Sequence, residues 1–103
     1  MTPARRGEVR AMRDGRKVLV VSADAVGEAG WPWCAPIVRR VGVPAELAVF
    51  AVTTHETDPV TGVVLVLGTA PVPVEILGEP VGTMVGRTMV RIEDGIRALF
   101  DLT

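Results

Sequence analysis

The sequence predicts a mainly-β domain: a strongly bent antiparallel sheet or small barrel of five to seven strands, closed by one C-terminal helix. Three observations carry this expectation. Nineteen of the 103 residues are valine, and valine-rich runs cut by Gly and Pro favour strands over helices. The apolar pattern has a strand-like period until about Met89, where it becomes helical. The length leaves room for one domain, spanning 1–103, with one modest core.

Each element has its own signal. "RGEVRAM" (6–12) alternates weakly and reads as a first strand. "RDG" (13–15) is an Asp-Gly turn between two strand-like runs, a strong hairpin signal. "RKVLVVSA" (16–23) is a second strand whose centre is apolar on both faces, which places it centrally in the sheet. "DAVGEAGWP" (24–32) reads as a loop. "WCAPIVRR" (33–40) is a third strand, with Pro36 forcing an edge or a bulge. "LAVFAVTT" (47–54), "VVLVLG" (63–68) and "VPVEIL" (72–77) are the next three strands. "HETDPVTG" (55–62) is a polar turn region, "GEP" (78–80) a turn, and "VGTMV" (81–85) a short seventh strand. Met89, Ile92, Ile96, Leu99 and Phe100 then fall on one helical face, predicting a helix near 89–101 with Thr88 as its N-cap. Gly95 weakens that helix by about 1 kcal/mol relative to Ala, so it needs the sheet to hold it.

Composition narrows the function classes. The longest apolar run, "VVLVLGTAPVPV", is too short and too interrupted to span a bilayer. "MTPARRGEVR" lacks an apolar h-region, so no signal peptide is expected. Cys34 is the single cysteine, which excludes an internal disulfide and fits a reducing cytoplasm. Its apolar surroundings make it core filler. The net charge of −1 hides an asymmetry: residues 1–17 carry six cations against two acids, and residues 41–80 carry five acids and no Lys or Arg. The first 40 residues are therefore the place to meet a polyanion, or else form a solvated basic face.

"CAPIVRR" (34–40) ends in two adjacent arginines, which a continuing strand would point to opposite faces. His55 is the only histidine and the obvious general base, yet it sits in a polar turn beside Glu56 and Asp58. Trp31 and Trp33 flank Pro32. They could stack bases, line a groove for a peptide, or plug an interface.

"RGEV" (6–9), "RKVLVVSADA" (16–25) and "CAPIV" (34–38), in that order and spacing, resemble the opening of the MazF/PemK toxins, whose pattern is roughly R-G-D/E-V, R-P-V-L-V-x-S and V-x-P-L/I-T. "APVPVEILGEPVG" (70–82) and "RIEDGIRALF" (91–100) are similar to a strand pair and terminal helix of CcdB, which shares the same SH3-like barrel. The resemblance implies the toxin of a toxin–antitoxin pair: a homodimer bound by a cognate antitoxin, with no metal or other cofactor. A MazF-like member would cut single-stranded RNA. A CcdB-like member would bind DNA gyrase and not be an enzyme, and a silent relative would only bind.

By the same resemblance, Arg16 stands at the catalytic arginine position, and Arg10, Arg39, Arg40 and Arg87 would contact RNA. Three departures bear on chemistry. Val38 occupies the position of a threonine and has no hydroxyl. Where some PemK-like members read V-R-x-D-Q-x-R-T, this chain reads "VGTMVGRT", so Gly82 stands for the arginine and Met84 for the aspartate. The CcdB-like reading loses a part too, because Asp101 replaces the tryptophan of the Trp-Gly-Ile end. An endoribonuclease with a reduced site, a protein-targeting toxin and a catalytically silent binder remain as alternatives.

Overall fold

The second strand organises the molecule, as its two-sided apolar pattern requires. Val18 and Val20 point into one cluster with Ala4, Cys34, Val74 and Leu77. Leu19 and Val21 point the opposite way, into a larger cluster with Val9, Ala35, Val52, Val64, Val66, Met84 and Ile92. The structure is a computed structural model and describes residues 3–39 and 42–101.

In chain order the elements are β1 (Glu8–Met12), β2 (Lys17–Val20), α1 (Asp24–Glu28), β3 (Trp33–Val38), β4 (Ala51–Thr53), β5 (Val63–Leu65), β6 (Ala70–Pro71), β7 (Leu77–Thr83) and α2 (Gly86–Leu99). The sheet runs β4-β5-β3-β2-β1-β7, with β6 on β3, and every pairing is antiparallel. The mainly-β class, the antiparallel order and the C-terminal helix are as the sequence predicts. The ladder itself stays open, because no pairing joins β4 to β7 among the described residues.

Local differences have physical causes. The 24–32 segment contains a short helix, begun by Asp24, instead of only loop. "AELAVF" winds into a 3-10 helix after Pro44, so the strand expected over 47–54 shrinks to β4. Prolines and a glycine likewise break 63–77 into short strands and 3-10 turns. "GEPVG", expected as turn plus strand, continues one strand against β1, with register shifts that absorb Pro80. Pro36 lies where β3 changes partner: Trp33 and Cys34 pair with β6, Ile37 and Val38 with β5. A residue with no N–H to donate fits that gap. Helix α2 begins at Gly86, earlier than Met89, and lays Ile92, Met89, Ile96 and Leu99 on the sheet.

Candidate RNA-binding cleft

Four residues, 13–16, join β1 to β2, with Gly15 at φ 87°. Gly15 donates to the Met12 carbonyl and Met12 to the Arg16 carbonyl. This turn delivers Arg16 to the start of β2. Lys17 follows and pairs in register with Ile37 of β3, one residue before Val38. On the other flank, β5 pairs Val63 with Val38. Gly62 is required there, since a Cβ would lie 2.6 Å from the Val38 carbonyl oxygen. The loop 54–62 therefore lies directly on the end of β3.

The result is an open cleft of about 390 Å³ lined by Arg16, Lys17, Val38, Arg39, Val60 and Thr61, with Gly15 and Ile37 at its sides. Three cations of two different strand ends and one hydroxyl converge there. Among the described residues no carboxylate lines it. Val38 lines the cleft and offers only methyl groups. Thr61 supplies the hydroxyl instead, from the neighbouring loop. Spacing along the chain gives no sign that Thr61 faces Val38. The signal was the "TG" before a valine run, which reads only as a turn.

Arg16 is exposed and paired with Asp14, Nε to Oδ2 at 2.6 Å. Asp14 accepts from the Arg16 backbone N–H at 3.0 Å, and this, with the guanidinium, holds its carboxyl below the usual range. A pair this open to water is readily exchanged for a phosphate partner.

The other expected contacts divide. Arg10 is a correction: it is 1% exposed. Its Nε donates to the Gly78 carbonyl at 2.6 Å and its Nη1 meets Glu8 at 3.1 Å. Its place in β1 turns it under β7, so it is a structural cation and is not presented to a polyanion. Arg39 joins the cleft, and Arg40 lies outside the described residues. Much of the remaining basic N-terminal charge is also spent internally: Arg5 lies 3.9 Å from Asp24, and Arg6 binds Glu93 at 2.8 Å. The 530 Å³ cleft beside Arg6 is thus already neutralised by its own acids.

Arg87 stands away from the cleft's walls, at the start of α2, and it finds His55 there: Nη1 and Nε2 are 3.1 Å apart. Asp58 makes this arrangement. It accepts from the His55 N–H at 2.7 Å, the Val85 N–H at 2.7 Å and the Thr88 hydroxyl at 2.6 Å. Burial pushes the Asp58 carboxyl up, and these bonds outweigh it and hold it below the usual range. Thr88 is therefore no N-cap. It lies inside α2, buried, and the cap residue is Val85. Pro59 of the same loop packs on Gly82, where a Cβ would meet Pro59 Cβ at 2.5 Å. Position 82 has no room for an arginine, and Met84 is 4% exposed in the core. Neither lines the Arg16 cleft.

Cys34 is buried, and burial pushes its thiol up to about 11, which matches an inert filler. No helix among the described residues is long and apolar enough to cross a membrane. Trp31 and Trp33 are 57% and 43% exposed, and an apolar hollow of about 280 Å³ separates Trp33 from Ile96, Leu99 and Phe100.

No family model matches this chain, and no curated protein matches it in sequence. Solved structures do. An endoribonuclease from a mycobacterial species shares 20% identity at a TM-score of 0.86, over 99% of this chain and 95% of its own. An endoribonuclease of mycobacterial species in complex with its cognate antitoxin gives 20% identity and 0.84, over 97% of both chains. A MazE–MazF complex from Deinococcus radiodurans gives 21% and 0.82, over 99% of this chain and 100% of that one. These likenesses cover 97–99% of the chain, so they include the CcdB-like segments 70–82 and 91–100. From end to end, the chain has the fold of the MazF toxins.

Proposed function

We propose that this protein is the toxin of a toxin–antitoxin pair and that it grips single-stranded RNA in the cleft between the β1–β2 hairpin and loop 54–62. The observation that carries the reading is the convergence of Arg16, Lys17 and Arg39, with Thr61, on one cleft. Guanidinium groups bind phosphate oxygens bidentately and keep their charge at any working pH. Arg16, in the turn before β2, would hold phosphates of the bound strand together with Lys17 and Arg39. Arg10 contributes indirectly, by tying β1 to β7. The solved structures of the same fold, an endoribonuclease and toxin–antitoxin complexes among them, point the same way.

The cleft lining holds charge and one hydroxyl but no group that takes a proton at neutral pH. Cleavage is therefore slow and depends on a base beside the cleft. The exposed apolar surface at Trp31, Trp33 and Phe100 suits burial against a second copy or an antitoxin segment. The setting is the cytoplasm, where RNA is available and Cys34 stays reduced.

The test is fluorescence anisotropy with a labelled, mixed-sequence RNA strand. Single strands should bind and Arg16→Ala should weaken them about fivefold, the worth of one ion contact in water. No binding at low salt, or binding indifferent to Arg16, would refute the reading and leave the protein-targeting alternative.

A further inference from the structure

Outside the cleft, one cluster of side chains is built and unexplained: His55, Thr57 and Arg87, on two elements far apart in sequence. We propose that His55 is the general base and Arg87 the phosphate-binding cation of RNA cleavage, supplying what the cleft lacks. The proposal rests on the RNA reading above.

The geometry is specific. Arg87 is always a donor, so its 3.1 Å contact places the imidazole lone pair on Nε2. In that tautomer Nδ1 carries the ring proton and donates to Thr57 Oγ1 at 2.7 Å, in place of accepting from the Thr57 N–H, which lies 3.2 Å from Nδ1. Arg87 has no carboxylate partner among the described residues. It sits in the first turn of the 14-residue helix α2, where the helix dipole adds positive potential. Asp58, bonded to His55 N–H, Val85 N–H and Thr88, fixes the loop against that helix.

The pair also lies beside the cleft. The Thr54 N–H donates to the Gly62 carbonyl at 2.9 Å, and the Gly62 N–H to Thr54 Oγ1 at 3.0 Å, closing the loop at its neck. His55 and Thr61 are the next residues inward from that neck. With Cα steps of about 3.8 Å and a paired spacing of about 5.5 Å, their Cα atoms are within about 13 Å. A short oligonucleotide spans that distance from the Arg16 cleft to His55.

The step balances without a co-reactant other than water. An incoming phosphodiester is a better acceptor than imidazole and draws the Arg87 guanidinium away from Nε2. The freed Nε2 takes the 2′-hydroxyl proton. The O2′ electron pair bonds to the adjacent phosphorus, the P–O5′ bond breaks, and O5′ takes a proton from water. The imidazolium then returns its proton to the hydroxide left behind. The products are a 2′,3′-cyclic phosphate and a 5′-hydroxyl end.

The experiment separates binding from chemistry. Cleavage is followed on a mixed-sequence RNA strand, and binding on the same strand carrying 2′-O-methyl groups, which cannot be cut. His55→Gln should cut about 10²–10⁴-fold more slowly, the usual worth of a positioned base, while binding the methylated strand as the wild type does. Free imidazole should partly restore cleavage to His55→Ala. Arg87→Ala should slow cleavage more than Arg87→Lys. Thermal melts check that each variant is folded. Wild type that binds but never cuts overturns the proposal. So does undiminished cleavage by His55→Gln, loss of cleavage only in step with binding, or no rescue by imidazole. Absence of binding by the wild type refutes the RNA reading itself, and the proposal with it.

Discussion

Replacing Asp58 by alanine should destabilise the fold more than any other single change in loop 54–62. The carboxylate accepts three bonds, from the N–H groups of His55 and Val85 and from the hydroxyl of Thr88. Thr88 is 1% exposed, so its hydroxyl would have no solvent to turn to. Bonds to a charged acceptor are worth about 1.5–3 kcal/mol when buried and less in the half-open setting of His55 and Val85, which puts the total near 2–4 kcal/mol. For a domain of this size that lowers Tm by roughly 8–30 °C. Asp58→Asn keeps one acceptor and should fall between. The pH dependence has a defined sign. A carboxyl held below its ordinary value stabilises the fold above that value, and the contribution is lost as pH falls through the lower, folded one. Asp14 is also lowered, so the wild-type curve against Asp58→Asn isolates Asp58: the variant should lose less stability as pH falls below about 4. Thermal melts by circular dichroism measure all of this. An Asp58→Ala variant within about 0.5 kcal/mol of wild type would refute the reasoning.

Gly82→Ala should cost about 1–3 kcal/mol through its clash with Pro59, and Pro59→Gly should relieve it, read as a positive coupling in a double-mutant melt cycle. Val38→Thr adds a hydroxyl where the cations hold phosphate and should tighten RNA binding by about 2–10-fold; unchanged affinity by anisotropy counts against the placement of the cleft. Asp14→Asn frees Arg16 and should tighten RNA binding severalfold by anisotropy. Cys34 should resist thiol reagents at pH 8 in the folded state and react on unfolding, since its thiol is pushed up to about 11.

The parts of the fold legible in the sequence are those set by local pattern. The apolar run Val18–Val21, which fills both faces, marks β2 as central, and the change of period near Met89 locates α2. The parts that were not legible depend on long-range contact. Strand propensity could not show that "AELAVF" winds into 3-10 helix behind Pro44. Charge counting placed a polyanion near the N-terminus, but Arg10 folds under β7 and Arg6 is taken by Glu93. Arg16 and Val38 are legible in the sequence because one directly precedes β2 and the other ends β3, at the spacing of the motifs they resemble. Thr61 is not legible as part of the cleft because a loop carries it there, and the His55–Arg87 pair is not legible because it joins that loop to α2. The close approach of Gly62 to Val38 and the Asp58 bonds that pin that loop become visible only in three dimensions.

The central claim is that Arg16, Lys17 and Arg39 bind RNA phosphates, and counterion release measures it directly. Affinity for a single strand should fall with salt on a log–log slope of about −0.7 per phosphate contact, so about −2 for three cations. Each replacement of one of them by alanine should flatten the slope by about 0.7. A slope unchanged in the Arg16→Ala/Lys17→Ala/Arg39→Ala variant would show that RNA, if bound at all, is held elsewhere.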